Sequence, residues 1–143
     1  MSRTYLLDNS AWARLWHPAL SEGRREEIAE AITSRRMYAC LPFLLEAGYS
    51  ARDRDDYGGL MRTLRSLPYA PLDDPAQSRA IDLQGDLVMC GHHRLPPVDL
   101  LIAALAERHG LTVLHCDKDF DRIVDRTSVV MDAEWLAPPA TFA

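Results

Sequence analysis

Four short apolar segments, Thr4 to Leu7, Met37 to Leu41, Leu111 to His115 and Ser128 to Met131, lie too far apart for tight hairpins, and helix-patterned stretches fill the gaps between them. Short runs dense in apolar side chains read as buried strands, and strands joined through helices pair in parallel, because a parallel return needs a crossover of about a dozen residues or more. The chain is thereby restricted to an α/β architecture, a three-layer sandwich with a small, mainly parallel central sheet flanked by helices. Its 143 residues suit a single domain spanning 1–143, long enough to bury its own core.

Punctuation residues set the helices. Asp8-Asn9-Ser10 ends the first strand and caps a helix carrying Trp12 and Trp16, and Ser21 opens a second helix with an Arg/Glu-rich outer face. Pro42 suits the start of a helix running from Phe43 to Ala51, and a charged break at Arg52 to Asp56 precedes another that Pro68 stops near Leu67. Residues 68–75 then form a connector, 76–90 a helix, 91–97 a loop, and 98–109 a helix closed by Gly110. A short helix from Phe120 to Asp125 leads into the last strand.

Composition excludes several classes. No apolar run reaches the roughly 18 residues of a membrane span, and nothing at the N-terminus reads as a signal peptide, so a cytoplasmic protein is expected. Cys40, Cys90 and Cys116 form an odd set without a CxxC pair, against a disulfide framework. The net charge of −5 argues against nucleic-acid binding by bulk electrostatics alone. Residues 1–70 carry ten basic and nine acidic groups (+1), and residues 71–143 carry six and twelve (−6), so the acidity sits in the second half.

Several acids fall where chemistry is expected. Asp8 follows the first strand directly and Asp117 follows the strand ending at His115-Cys116, and the carboxyl edge of an open parallel sheet is where ligands bind. Glu46 lies early in the helix after the second strand, and Asp99 in the first turn of the helix leading into the third, which brings both to the same edge. Each interrupts an apolar helix, where an unpaired carboxylate is costly. Taken singly, Asp8 reads equally as an N-cap, Asp99 as a charge favoured by the helix dipole, and Glu46 as half of a salt bridge. As a set they are more informative. Two carboxylates ~4 Å apart repel by about 4 kcal/mol at an effective dielectric of 20, so a cluster takes up protons or binds a cation. Oxygen ligands alone favour Mg²⁺ or Mn²⁺ over zinc.

At these residues the sequence resembles the PIN-domain ribonucleases, and more narrowly the VapC-type toxins of bacterial toxin–antitoxin pairs. The resemblance rests on Leu6-Leu7-Asp8-Asn9-Ser10, Leu44-Leu45-Glu46-Ala47-Gly48-Tyr49-Ser50-Ala51-Arg52, Pro97-Val98-Asp99-Leu100-Leu101-Ile102-Ala103 and Val113-Leu114-His115-Cys116-Asp117-Lys118-Asp119-Phe120-Asp121, in that order over nearly the whole chain. It implies a PIN-like fold in which Asp8, Glu46, Asp99 and Asp117 match the family's metal-binding acids and Ser10 the hydroxyl residue supporting them. Asp119 is a further possible ligand, since the Asp117-x-Asp119 spacing leaves the last acid open, while Asp121 reads as a helix-start acid. The resemblance also implies an RNA substrate, a homodimer and a cognate VapB-type antitoxin.

The expected reaction is hydrolysis of an RNA phosphodiester to a 5′-phosphate and a 3′-hydroxyl. Asp8 would be the central metal ligand, Asp99 and Asp117 would complete the set, and Glu46 would bind a second ion or orient water. Arg14, Arg52 and Arg54 are candidates for flanking phosphates, or else belong to a solvated charged face. Competing readings are a zinc site at Cys90, His92, His93 and Cys116, a phosphotransfer enzyme with Asp8 as nucleophile, and an inactive RNA- or protein-binding module.

Overall fold

The computed structural model describes residues 2–92 and 94–143. Four strands, β1 (Tyr5–Leu7), β2 (Met37–Tyr38), β3 (Thr112–His115) and β4 (Ala133–Trp135), form one sheet in the order β2-β1-β3-β4 with every pairing parallel. Among the described residues seven helices connect them: α1 (Asn9–Trp12), α2 (Glu22–Thr33), α3 (Leu41–Tyr49), α4 (Arg54–Leu64), α5 (Asp74–Met89), α6 (Pro97–His109) and α7 (Lys118–Arg126). The chain leaves β1 toward β2 on one side and leaves β3 toward β4 on the other. The carboxyl ends of β1 and β3 therefore flank the point where the winding reverses, and right-handed crossovers place α2 and α7 on opposite faces.

One apolar cluster runs from Tyr5 to Leu136 and takes in β1, β3 and the inner sides of α3, α5, α6 and α7. Leu6, Leu7, Val113 and Leu114 are fully buried, as central parallel strands require. Helix α6 is buried along Leu100, Ile102, Ala103, Ala104, Leu105 and Ala106, and its alanines allow close approach to the elements around it. Gly110 ends this helix at φ 67°, a left-handed conformation that suits glycine and frees the chain to turn into β3.

Ser21 caps α2 as expected, whereas α4 opens at Arg54, inside the expected charged break, and α5 at Asp74, two residues before the expected start. The side chains of Ser21, Asp53 and Asp73 accept from the backbone N–H groups of Arg24, Asp56 and Ala76. Four further expectations are corrected. Helix α1 ends at Trp12, leaving Trp16 75% exposed in the following turn, while Trp12 meets Phe43 edge-on at 6.5 Å. Helix α4 ends at Leu64, short of Leu67, and Pro68 to Ala70 extends beside Ala39 through Ala39 N–H to Pro68 O (2.8 Å) and Ala70 N–H to Ala39 O (2.9 Å). Helix α7 starts at Lys118 because Asp117 caps it.

The last strand is residues 133–135, and 128–131 is not a strand. Ser128 gives its N–H and hydroxyl to Asp86, its carbonyl accepts from Arg79, and Val130 N–H donates to Glu107 Oε2 at 2.7 Å. With these backbone groups satisfied by side chains of α5 and α6, ladder pairing begins only at Val113 N–H to Asp132 O.

Candidate metal centre

Asp8 closes β1 and caps α1. Its Oδ2 accepts the backbone N–H of Ser10 at 3.0 Å and the Ser10 hydroxyl, while Oδ1 is buried without a partner. Ser10 Oγ also accepts Cys116 N–H at 2.8 Å, tying the end of β1 to the turn after β3. Asp99 stands in the first turn of α6, 5% exposed, with Oδ2 unpartnered. Asp117 caps α7 by accepting Asp119 N–H at 2.9 Å. Asp99, Asp117 and Asp119 each offer a carboxylate oxygen, and these oxygens lie within 4.8 Å of one another. Among the described residues this is the one His/Cys/Asp/Glu cluster of that kind. Asp8 and Glu46 stand outside the tight triad but close enough for their charges to be felt across it.

The electrostatics follow from burial and repulsion. Asp99 is pushed up to about 8, first by loss of solvent and then by the charges of Asp8, Asp117, Asp119 and Glu46. Burial raises Asp8 as well, against the two hydrogen bonds from Ser10, and it raises half-buried Glu46, to which Asp8 and Asp117 add. Neither Glu46 nor Asp8, Asp99 or Asp117 forms an ion pair among the described residues. Asp119 does, with Arg122 Nη1 at 2.7 Å.

The capping reading of Asp8 thus holds for one of its oxygens and leaves the other unexplained, and Asp99, though in the first turn of α6, has a buried oxygen without a partner. Hard oxygen donors crowded enough to raise one another's proton affinity, with two oxygens lacking any hydrogen-bond donor, fit a divalent cation of the Mg²⁺ or Mn²⁺ type.

Arg14 donates to Ser10 O at 2.9 Å with its guanidinium 5.9 Å from the centre of the Phe142 ring. Arg52, 86% exposed, pairs with Asp56 at 3.5 Å in the turn after α3, and Arg54 is exposed at the start of α4. All three cysteines are free thiols. Cys90 Sγ lies against Arg126 O and Cys116 beside Ser10, in separate parts of the fold, and neither they nor His92 join a metal-holding group. His93 lies outside the described residues.

Sequence reasoning missed two participants. Arg122 pairs with Asp119 one helical turn on, and i,i+3 charge spacing in α7 was the available signal. His115 is fully buried at the end of β3 and accepts Asp117 N–H at 3.1 Å through Nδ1; burial holds its imidazole below the usual range, which keeps it neutral. A polar residue ending an otherwise apolar strand was the signal there.

A four-stranded parallel sheet with buried carboxylates gathered where its winding reverses describes a class of acid-centred α/β domains. The chain belongs to the PIN-domain family, whose profile matches residues 5–125. Over 143 residues it is 37% identical to Ribonuclease VapC21 of Mycobacterium tuberculosis, covering 99% of each chain. It is 36% identical over 141 residues to Ribonuclease VapC51 of the same organism, covering 99% of this chain and 98% of that one. Among solved structures its fold is similar to DNA-bound VapBC from Salmonella typhimurium, at TM-score 0.73, 19% identity, 95% of this chain and 100% of that chain. The VapBC-5 complex from Mycobacterium tuberculosis matches at TM-score 0.60 and 24% identity, over 94% and 98%.

Proposed function

We propose that this chain is a divalent-cation-dependent endoribonuclease acting as the toxin of a toxin–antitoxin pair. The observation that carries the reading is the convergence of Asp99, Asp117 and Asp119 within 4.8 Å, beside the unpartnered buried oxygens of Asp8 and Asp99. That centre lies in a chain 37% identical to a ribonuclease over its whole length.

Asp8, Asp99 and Asp117 would hold Mg²⁺ or Mn²⁺, with Asp119 as a further ligand. When bound, such an ion supplies charge neutralisation at the scissile phosphate and a more acidic water. Glu46, half-buried and raised in pKa, is suited to accept a proton from an attacking water. Ser10 fixes one oxygen of Asp8 and leaves the other free to serve as a ligand. Arg14, held on the Ser10 carbonyl, suits a flanking phosphate of the RNA, and exposed Arg52 is a second candidate. The products would carry 5′-phosphate and 3′-hydroxyl ends.

The relatives' names and the VapBC structures support a VapB-type antitoxin as partner, and a homodimer is part of the same reading. Leu41, Leu45 and Tyr49, spaced i, i+4, i+8 and exposed along α3, offer an apolar ridge for a partner helix. Among the described residues no helix is long and apolar enough to cross a membrane; a cytoplasmic location belongs to the toxin–antitoxin reading.

The test is incubation of wild type and Asp8→Asn with structured RNA in Mg²⁺, Mn²⁺ or chelator, with mapping of product ends. Cation-dependent cleavage by wild type and its loss in a folded Asp8→Asn are expected. Chelator-insensitive cleavage or 2′,3′-cyclic ends would contradict the reading.

A further inference from the structure

Strand β3 ends in a residue that its surroundings do not call for. Thr112, Val113 and Leu114 are buried, and His115 follows them with no exposed surface at all. Its ring is clamped between Phe120, at 5.0 Å between ring centres, and Trp135 at 4.9 Å, and Trp135 is itself fixed by donating Nε1–H to Asp121 Oδ2 at 3.1 Å. A third apolar ring would fill this slot without stranding a polar atom. The imidazole leaves Nε2 buried and without a partner, which carries the desolvation penalty of an unmade hydrogen bond.

What the imidazole provides in return is an acceptor. The backbone N–H of Asp117 donates to His115 Nδ1 at 3.1 Å, so Nδ1 carries no hydrogen and the ring is the Nε2–H tautomer. This contact is one of three that pin the turn after β3. Cys116 N–H goes to Ser10 Oγ at 2.8 Å, Asp117 N–H to the His115 ring, and Asp119 N–H to Asp117 Oδ1 at 2.9 Å. Each of these amides is held by a specific side chain, and the turn so held presents both Asp117 and Asp119 to Asp99.

We propose that His115 is a positioning residue for the acid cluster: its ring nitrogen holds the Asp117 backbone, and through it the placement of the Asp117 and Asp119 carboxylates. This rests on the reading of Asp117 as a metal ligand. Partners that orient ligands in this way change metal affinity by roughly 10–100-fold when removed.

The experiment compares calorimetric Mn²⁺ affinity in wild type, His115→Phe, His115→Gln, Trp135→Phe and Asp117→Asn, with melting temperature measured alongside. His115→Phe keeps a ring in the slot and removes the acceptor, so it is expected to bind Mn²⁺ about tenfold or more weakly. His115→Gln restores an acceptor and recovers part of that loss. Trp135→Phe loosens the clamp and lowers the melting temperature while keeping wild-type affinity, which separates positioning from packing. Wild-type affinity in His115→Phe, with affinity lost in Asp117→Asn, overturns the role of His115 alone; wild-type affinity in Asp117→Asn overturns the ligand assignment and the role of His115 with it. Should His115→Phe fail to fold, ¹⁵N-histidine spectra of the wild type decide the matter. The Nε2–H tautomer supports the proposal, and the Nδ1–H tautomer, which cannot accept from Asp117, overturns it.

Discussion

Ser10 shows how much one small side chain can hold in place. Its hydroxyl donates to Asp8 and accepts from Cys116 N–H, so it fixes the first acid and joins the turns after β1 and β3. Ser10→Ala removes both bonds and leaves the Cys116 amide unsatisfied in a half-buried place. The expected cost is about 1–3 kcal/mol of stability, read by denaturant unfolding, together with weaker Mn²⁺ binding. An unfolding midpoint equal to wild type would show that water replaces the hydroxyl at both partners. Asp8 is divided in the same way, one oxygen capping α1 and the other free, which is why its capping role and its place among the acids do not compete.

At the scale of elements, the segment between α7 and β4 illustrates why an apolar run need not be a strand. Val129, Val130 and Met131 have strand-like composition, yet Asp86, Arg79 and Glu107 reach across from α5 and α6 and satisfy this segment's backbone. Glu107 is the central tie, accepting from Arg79 at 2.8 Å and from Val130 N–H at 2.7 Å. Glu107→Ala should therefore destabilise the fold by about 1–3 kcal/mol and raise hydrogen exchange at residues 127–131 while leaving the metal centre intact. Unchanged exchange there would mean that this segment is held by packing alone. The cap of α2 was legible beforehand because Ser21 acts through an N–H group three residues away. The ends of α1 and α4 were not, since packing of Trp12 on Phe43 and pairing of Ala39 with Pro68 and Ala70 are contacts distant in sequence.

The whole molecule carries the electrostatic cost of its acid cluster, and that cost has a definite pH dependence. Asp99 sits at about 8 in the folded protein against an ordinary value of 3.8, and Asp8 and Glu46 are raised in the same direction. Between these limits the folded state binds more protons than the unfolded state, so stability falls as pH rises. The contribution is fully present below about pH 4 and is lost as pH passes through about 8. Chelated protein should lose several degrees of melting temperature between about pH 5 and pH 8.5, at about 3 °C per kcal/mol for a chain of this size. Millimolar Mg²⁺ should restore it, most strongly at the high end, where cation and proton no longer compete. A melting temperature that stays level with pH in chelator, or that ignores Mg²⁺ at pH 8.5, would show that the carboxylates do not share one cation site.

The order of strands and helices, most of the helix starts, and the placing of Asp8, Asp99 and Asp117 at one edge were determined by the sequence itself. These depend on short-range patterning, on capping residues, and on the rule that parallel strands and their crossover helices bring their ends to a common rim. Tertiary structure alone decided that Asp119 rather than Asp8 completes the tight triad and that β4 starts at Ala133. Each of these turns on which polar groups meet after the chain has closed on itself, and local pattern carries no information about such long-range partners.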